Sequence, residues 1–345
     1  MKILDLRQII DNVKKTVESH QLGTIGEYSR WLWQNKKGDR NLGVNEYGCA
    51  DAFNILYTIN EFYCDDVTRN ARITALQALQ DKETGLFSEP THHPFHTTAH
   101  CVAALQLFDV KPLYPLRALH KYLTKECLYS LLEGLNWECD PWPESHKGAG
   151  VFAALVNAGE ETESFCENYF AWFRNNCDSV NGFWKNGFSD KAPYSSERNV
   201  GAHSSVYPYM AAGFHYLFNH EYAKMPLVYP DKVIDSCIKM YNEQALPENF
   251  LKSCGFIEID WLYCIHRASR QSVHRNSEVK SLIYDFAQKL TDYLNSTDFE
   301  KDESVNDLHA LFGTVCALAE MQSALPGLVK TAKPLRLVLD RRPFI

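Results

Sequence analysis

His92, His93, His96 and His100 fall within nine residues, and the last two are four apart, so any helix that carries them shows both imidazoles on one face. Imidazole donates and accepts protons near neutral pH, and helical pairs at this spacing also ligate metals. A metal would need further donors, and the chain supplies no HEXXH and no second local Cys/His pair, leaving only remote groups such as His203, Asp260 or His309. The expectation is therefore proton transfer or substrate orientation by His100 and His203, with no metal or other cofactor.

The carboxylates that could join them are Asp51, Glu144, Asp260 and Asp307, with Glu89 in a connecting stretch. A carboxylate pair about 5–5.5 Å apart suits retaining glycoside hydrolysis and one about 6.5–9.5 Å apart suits inversion. Asp307 reads equally as a helix cap, because an Asp before a first turn accepts from unpaired N–H groups. Asp260 stands between Ile259 and Trp261 in an apolar stretch, where a buried carboxylate needs a partner. Asp260 and Glu144 are the acid/base candidates.

Glu144 belongs to a dense segment, Trp137-Glu-Cys-Asp-Pro-Trp142-Pro-Glu144-Ser-His146-Lys147, in which indole faces can stack on sugar rings while charged groups orient hydroxyls or a carboxylate. Tyr207 follows His203 by four residues and can share its face, a pairing that serves proton abstraction and donation. The substrate-binding set is then Asp51, His96, Trp142, His146, Tyr207, Trp261 and His309.

These residues recur with the architecture. Six times, at intervals of about fifty residues, a polar amphipathic stretch precedes a more apolar one whose start carries an ionisable group: Asp51, His100, His146, His203, Asp260 and His309. The polar stretches place apolar residues three and four apart, as in Ile73, Leu76, Leu79 and in Val233, Cys237, Met240, the mark of one-sided helices. The other stretches are rich in Ala, Gly, Ser and Cys on several faces, as crowded inner helices are. Outer helices are expected over 5–35, 66–81, 115–135, 162–177, 230–244 and 276–296. Their inner partners are expected over 46–62, 96–108, 146–158, 199–218, 256–270 and 305–324.

This pattern predicts an all-α (α/α)6 toroid, one domain over 1–345 with 326–345 as a C-terminal tail packed on it. Links entering the inner helices (82–95, 136–145, 178–198) are mostly long and would gather at one mouth, where the helix N-termini favour anionic or polyhydroxylated ligands. Two of them repeat a turn, Asp81 to Gly85 then Phe87, and Asp178 to Gly182 then Trp184, in which glycine stops the outer helix and an aromatic packs.

Composition supports a globular chain: 345 residues, 45% hydrophobic and 23% charged. A net charge of −8 without a block of Lys or Arg argues against nucleic-acid binding. No apolar run reaches spanning length, and the N-terminus lacks a secretory apolar core, so no membrane partner is expected. Eleven cysteines without a CxxC pair, several inside apolar stretches, fit buried thiols in a reducing cytoplasm. No Walker sequence and no GxGxxG is present, so a nucleotide role has no support.

The segment Leu79 to Phe108, LQDKETGLFSEPTHHPFHTTAHCVAALQLF, resembles the repeat of terpenoid-cyclase and protein-prenyltransferase toroids, and about thirty residues match. The chain departs from those families where their chemistry resides. Asp307-Leu-His309 is similar to the last part of a prenyltransferase zinc site, yet the Cys-bearing motif is missing, as are DxDD and DDxxD. The whole plan of six hairpins resembles (α/α)6 glycosidases, polysaccharide lyases and sugar epimerases. That resemblance implies a cytoplasmic carbohydrate-active enzyme working by general acid/base catalysis on a small or oligomeric sugar, acidic sugars included. The alternatives are an isoprenoid-handling enzyme with a deep aromatic cavity and a non-catalytic toroid that binds a protein or peptide.

Overall fold

The computed structural model describes residues 1–138, 140–184 and 206–345. These are helical almost throughout, with one short parallel strand pair, β1 (Leu4–Asp5) against β2 (Val329–Lys330). Two kinds of helix alternate along the chain. The first kind is α1 (Arg7–Ser19), α3 (Asp66–Gln77), α5 (Lys125–Glu133), α7 (Glu163–Asn175), α9 (Pro230–Asn242) and α11 (Asn276–Ser296). Each buries one stripe, such as Val279, Ile283, Phe286, Ala287, Leu290 and Leu294 of α11, at the three- and four-residue steps of a one-sided helix.

The second kind is α2 (Glu46–Thr58), α4 (Pro94–Gln106), α6 (Pro141–Ala158), α8 (Tyr207–Tyr222), α10 (Ile257–Gln271) and α12 (Leu308–Ala324). These are buried on all sides; in α4 every residue from His96 to Leu105 is inside. Each packs on the next in chain order, and α12 packs on α2. Close approach depends on small side chains. A Cβ on Gly150 of α6 would stand 2.8 Å from the carbonyl oxygen of Phe95, so the absence of one lets α6 lie directly on the start of α4.

The buried helices begin at strong start signals. Asn45 caps α2 by accepting from Gly48 N at 3.0 Å, and His93 caps α4 by accepting from Phe95 N at 3.2 Å. Proline occupies the first turn of α4, α6 and α8, where its missing N–H is no loss. The two repeated turns are the same structure: Gly85 N donates to Asp81 O and Gly182 N to Asp178 O, each at 2.9 Å. Both glycines have positive φ, +78° and +83°, and Phe87 and Trp184 then bury their rings.

The first outer stretch differs from the expected helix over 5–35. α1 stops at Ser19, and residues 20–45 form an irregular segment whose four glycines and short polar bridges disfavour helix. This segment packs on the start of α12: Leu308 N donates to Arg30 O at 2.9 Å, and Asn306 Oδ1 accepts from Leu32 N at 2.8 Å. The expected outer helix over 115–135 is likewise divided, into a 3-10 helix (Arg117–Leu123) and α5.

The last eleven residues run across the C-terminal ends of the buried helices. Arg336 N donates to Thr58 O, Leu335 N to Gln322 Oε1 and Asn157 Nδ2 to Pro343 O, each at 2.8 Å. The short α13 (Val338–Arg341) packs on α2 and α8, and Arg342, Phe344 and Ile345 are buried. No helix among the described residues is long and apolar enough to cross a membrane.

Candidate functional site

Imidazoles from the buried helices meet in two adjoining triads. His96 of α4, His146 of α6 and His215 of α8 each bring one ring nitrogen within 4.8 Å of the other two. Asp51 of α2, His100 of α4 and His309 of α12 do the same with two nitrogens and a carboxylate oxygen. His96 and His100 lie one turn apart on one face of α4, which is why that helix serves both triads. All six residues are buried.

Tyr47, in the first turn of α2, ties the triads together. Its ring centroid lies 4.6 Å from that of His92, 6.0 Å from His96, 5.1 Å from His100 and 4.5 Å from His309. Its hydroxyl is 2.7 Å from His96 Nδ1. In the same manner Ser145 Oγ lies 2.7 Å from His215 Nδ1. Phe344 of the C-terminal segment closes the cluster from below, 4.8 Å from the His96 ring and stacked at 6.3 Å on His215.

Burial decides the protonation of this array. It pushes His96 well below the ordinary imidazole range, and the neighbouring His146, His92, His215 and His309 rings push further. His100 is also held well below, by burial first and then by Arg342, so both rings are neutral at physiological pH. Burial raises the Asp51 carboxyl well above its usual range despite Arg30. A neutral acid fits its contacts: Oδ1 is 2.8 Å from His100 Nε2, and Oδ2 is 3.1 Å from His309 Nδ1.

Above the triads the irregular 20–45 segment places one arginine. Arg30 donates from Nε and Nη2 to the two oxygens of Asp307, both at 2.8 Å, and from Nη1 to Thr91 Oγ1 at 2.6 Å. Asp307 also caps α12 by accepting from His309 N at 3.0 Å. Burial alone would raise its pKa, but Arg30 holds it below the normal value. Glu89 behaves similarly: burial opposes ionisation, while His92, Thr91 and Arg30 keep its pKa low.

A cavity of about 480 Å³ opens beside this arginine, lined by Arg30, Thr91, His92, His93, Trp142, Pro143, Glu144, His146 and Lys147. Glu144 and Lys147 form an ion pair at 2.5 Å one turn apart on α6. The Trp142 ring stands edge-on to His146 at 4.6 Å. His146 therefore belongs both to the cavity wall and to the three-histidine triad beneath it. Two cations, an indole and several imidazoles around such a space can hold an anionic or hydroxyl-rich molecule and exchange protons with it.

The structure brings together Asp51, His96, His100, His146 and His309, and places Trp142, Glu144 and His146 on the cavity. His203 lies outside the described residues. Asp260 is buried in α10 and belongs to neither triad. Trp261 is not at the cavity: it is fully buried, donates from Nε1 to Cys237 O at 3.0 Å, and packs with Tyr241, Phe250 and Phe286 between α9, α10 and α11. Tyr207 is buried at the start of α8 and does not line the cavity.

Four contributors escaped the sequence reading of the site: Arg30, Tyr47, Ser145 and His215. Arg30 fell in a stretch read as outer helix, and His215 lies two turns inside α8, away from the helix start. Tyr47 was detectable in principle, because it sits one turn before Asp51 on α2. No protein-family model matches the chain, and no curated protein or solved structure does either.

Proposed function

We propose that the six buried helices form the inner ring of an (α/α)6 toroid and that the chain is a carbohydrate-active enzyme whose substrate enters at Arg30, Trp142 and Lys147. The architecture rests on the packing order of the helices, which runs α2, α4, α6, α8, α10, α12 and returns to α2. The observation that carries the functional reading is the cavity lining, in which an indole, a carboxylate, two cations and three imidazoles surround one space. A sugar ring stacks on Trp142, and Arg30 with Lys147 favours a carboxylated or phosphorylated sugar.

Glu144 is the acid/base group in this reading, since it alone of the expected four, Asp260, Glu144, His100 and His203, lines the cavity among the described residues. Its ion pair with Lys147 orients the carboxylate, and His146 exchanges protons with the substrate beside it. The described cysteines are all free thiols, which supports a reducing compartment such as the cytoplasm. Charged and imidazole side chains beside a single indole favour a sugar over an isoprenoid, which would need a pocket lined chiefly by aromatic rings.

Calorimetric titration with a panel of neutral sugars, uronates and sugar phosphates, together with a crystal soaked in the tightest binder, tests this. An acidic sugar seated on Trp142, bound at least tenfold more weakly by Lys147→Ala, is the expected result. A panel without any binder, or a sugar bound away from this cavity, overturns it.

A further inference from the structure

We infer that His96, His146 and His215 form a binding site for one first-row divalent transition-metal ion, zinc in the first instance. Three imidazoles supplied by three neighbouring helices, with one nitrogen of each within 4.8 Å of the others, are already gathered to the scale of a coordination sphere. Imidazole ligands suit zinc, copper, iron and nickel, whereas magnesium and calcium prefer oxygen.

The surroundings match those of metal-ligating histidines, whose second nitrogen is held by a polar partner that sets ring orientation. Tyr47 Oη lies against Nδ1 of His96 and Ser145 Oγ against Nδ1 of His215, each at 2.7 Å, and these contacts set the orientation of both rings. The rings also stand in contact, tilted at a centroid separation of 4.4 Å for His96 with His146 and face to edge at 5.3 Å for His146 with His215. A cation gives that crowding of buried donors a common partner.

The neighbouring triad is the weaker host. Both oxygens of Asp51 are already engaged within the protein, by His100 and His309. Access separates the two as well. His146 lines the open cavity, so an ion bound there meets solvent and substrate, as catalytic sites with three protein ligands do. His92, whose ring lies 4.8 Å from that of His96 and 5.6 Å from that of His146, offers a fourth imidazole. Such an ion would supply a polarised water or a Lewis acid at the cavity floor.

This inference does not rest on the sugar reading, because its readout is metal content. Full-length protein stripped with a chelator is dialysed against micromolar Zn2+, counted by mass spectrometry, and studied with Co2+ by visible absorption and with Zn2+ by X-ray absorption. We expect one ion per chain, cobalt ligand-field bands, and scattering from at least three imidazole rings. His146→Ala should weaken binding at least 100-fold, whereas His309→Ala should change it less than tenfold. Fewer than about 0.1 ions per chain, an oxygen-only shell in the wild type, or unchanged binding in a folded His146→Ala variant overturns the inference. The wild-type count and shell decide the matter on their own, independently of how any variant folds.

Discussion

The hydroxyl of Tyr47 lies 2.7 Å from Nδ1 of His96, and the same ring covers His92, His100 and His309. One phenol on α2 thus fixes an imidazole on α4 while forming a wall of the second triad. Burial raises its pKa far above the usual value, so it stays a neutral hydroxyl able to donate and accept. Tyr47→Phe keeps the ring and removes the bond. We expect a loss of about 1 kcal/mol in chemical denaturation, the usual net worth of one buried hydrogen bond. If His96 ligates a metal, zinc affinity should also fall about 10- to 100-fold, as for other outer partners of ligands. An affinity unchanged in the folded variant would show that the hydroxyl does not orient a ligand.

Arg30 and Asp307 join the irregular 20–45 segment to the start of α12 through two charge-assisted bonds, the guanidinium buried and the carboxylate 21% exposed. Removing one partner of such a pair strands the other charge, typically at about 3–5 kcal/mol. Asp307→Ala should approach that loss, since it also removes the α12 cap, and a double variant with Arg30→Met should recover part of it. A double-mutant cycle by urea denaturation measures the coupling, and strictly additive losses would mean that the two side chains act independently.

His20 and His220 are buried and donate from Nδ1 to the backbone oxygens of Ser29 and Tyr216, at 3.0 and 2.8 Å. Burial is the largest cause that lowers each pKa from 6.5 to about 4, with the backbone bond opposing it. The unfolded chain therefore binds these protons first. Their contribution is complete above pH 6.5 and is lost as pH falls towards 4, on the order of 3 kcal/mol for each group. His96 and His100 act in the same direction. Urea midpoints should drop steeply between pH 6.5 and 4, and a folded His20→Asn, His220→Asn variant should show a shallower drop. An equal slope in both proteins would refute the assignment.

Much of the scaffold was legible because its signals are local. Apolar stripes separated one-sided from wholly buried helices, and the Asp-to-Gly turns appear where their repeated spelling placed them. Gly85 makes the physical reason plain: φ is +78°, and a Cβ there would stand 2.0 Å from Pro115 O. Gly85→Ala should therefore lose about 1–3 kcal/mol in thermal or urea unfolding, well beyond an ordinary surface substitution. The site was legible only in part, because facing is a three-dimensional property. Trp261 follows Asp260 by one position, about 100° around the helix, and its indole packs among α9 and α11. His215 was missed for the complementary reason. It lies inside an apolar helix, and what gives it a role is α6 packing beside it with Ser145 and His146. Arg30 depends on a segment whose path is set by its contact with α12 rather than by any periodicity.

Phe344 extends this to the end of the described chain. Its ring is fully buried against His96, His215 and Phe218, so the C-terminal segment forms the floor beneath the three-histidine triad. Its φ of +106° is unfavourable for an L-residue, and the packing of the ring holds it there. Phe344→Ala removes that packing without relieving the backbone and opens a void at the two imidazoles. The expected loss is about 3–5 kcal/mol, the range for truncating a buried phenylalanine. Phe344→Leu, which keeps most of the volume, should lose less than half as much. His96 and His215 give the second readout: histidine ring signals in NMR should shift in Phe344→Leu while those of the exposed His120 stay fixed. Stability and ring signals both unchanged in Phe344→Ala would mean that the segment does not form the floor of the cluster.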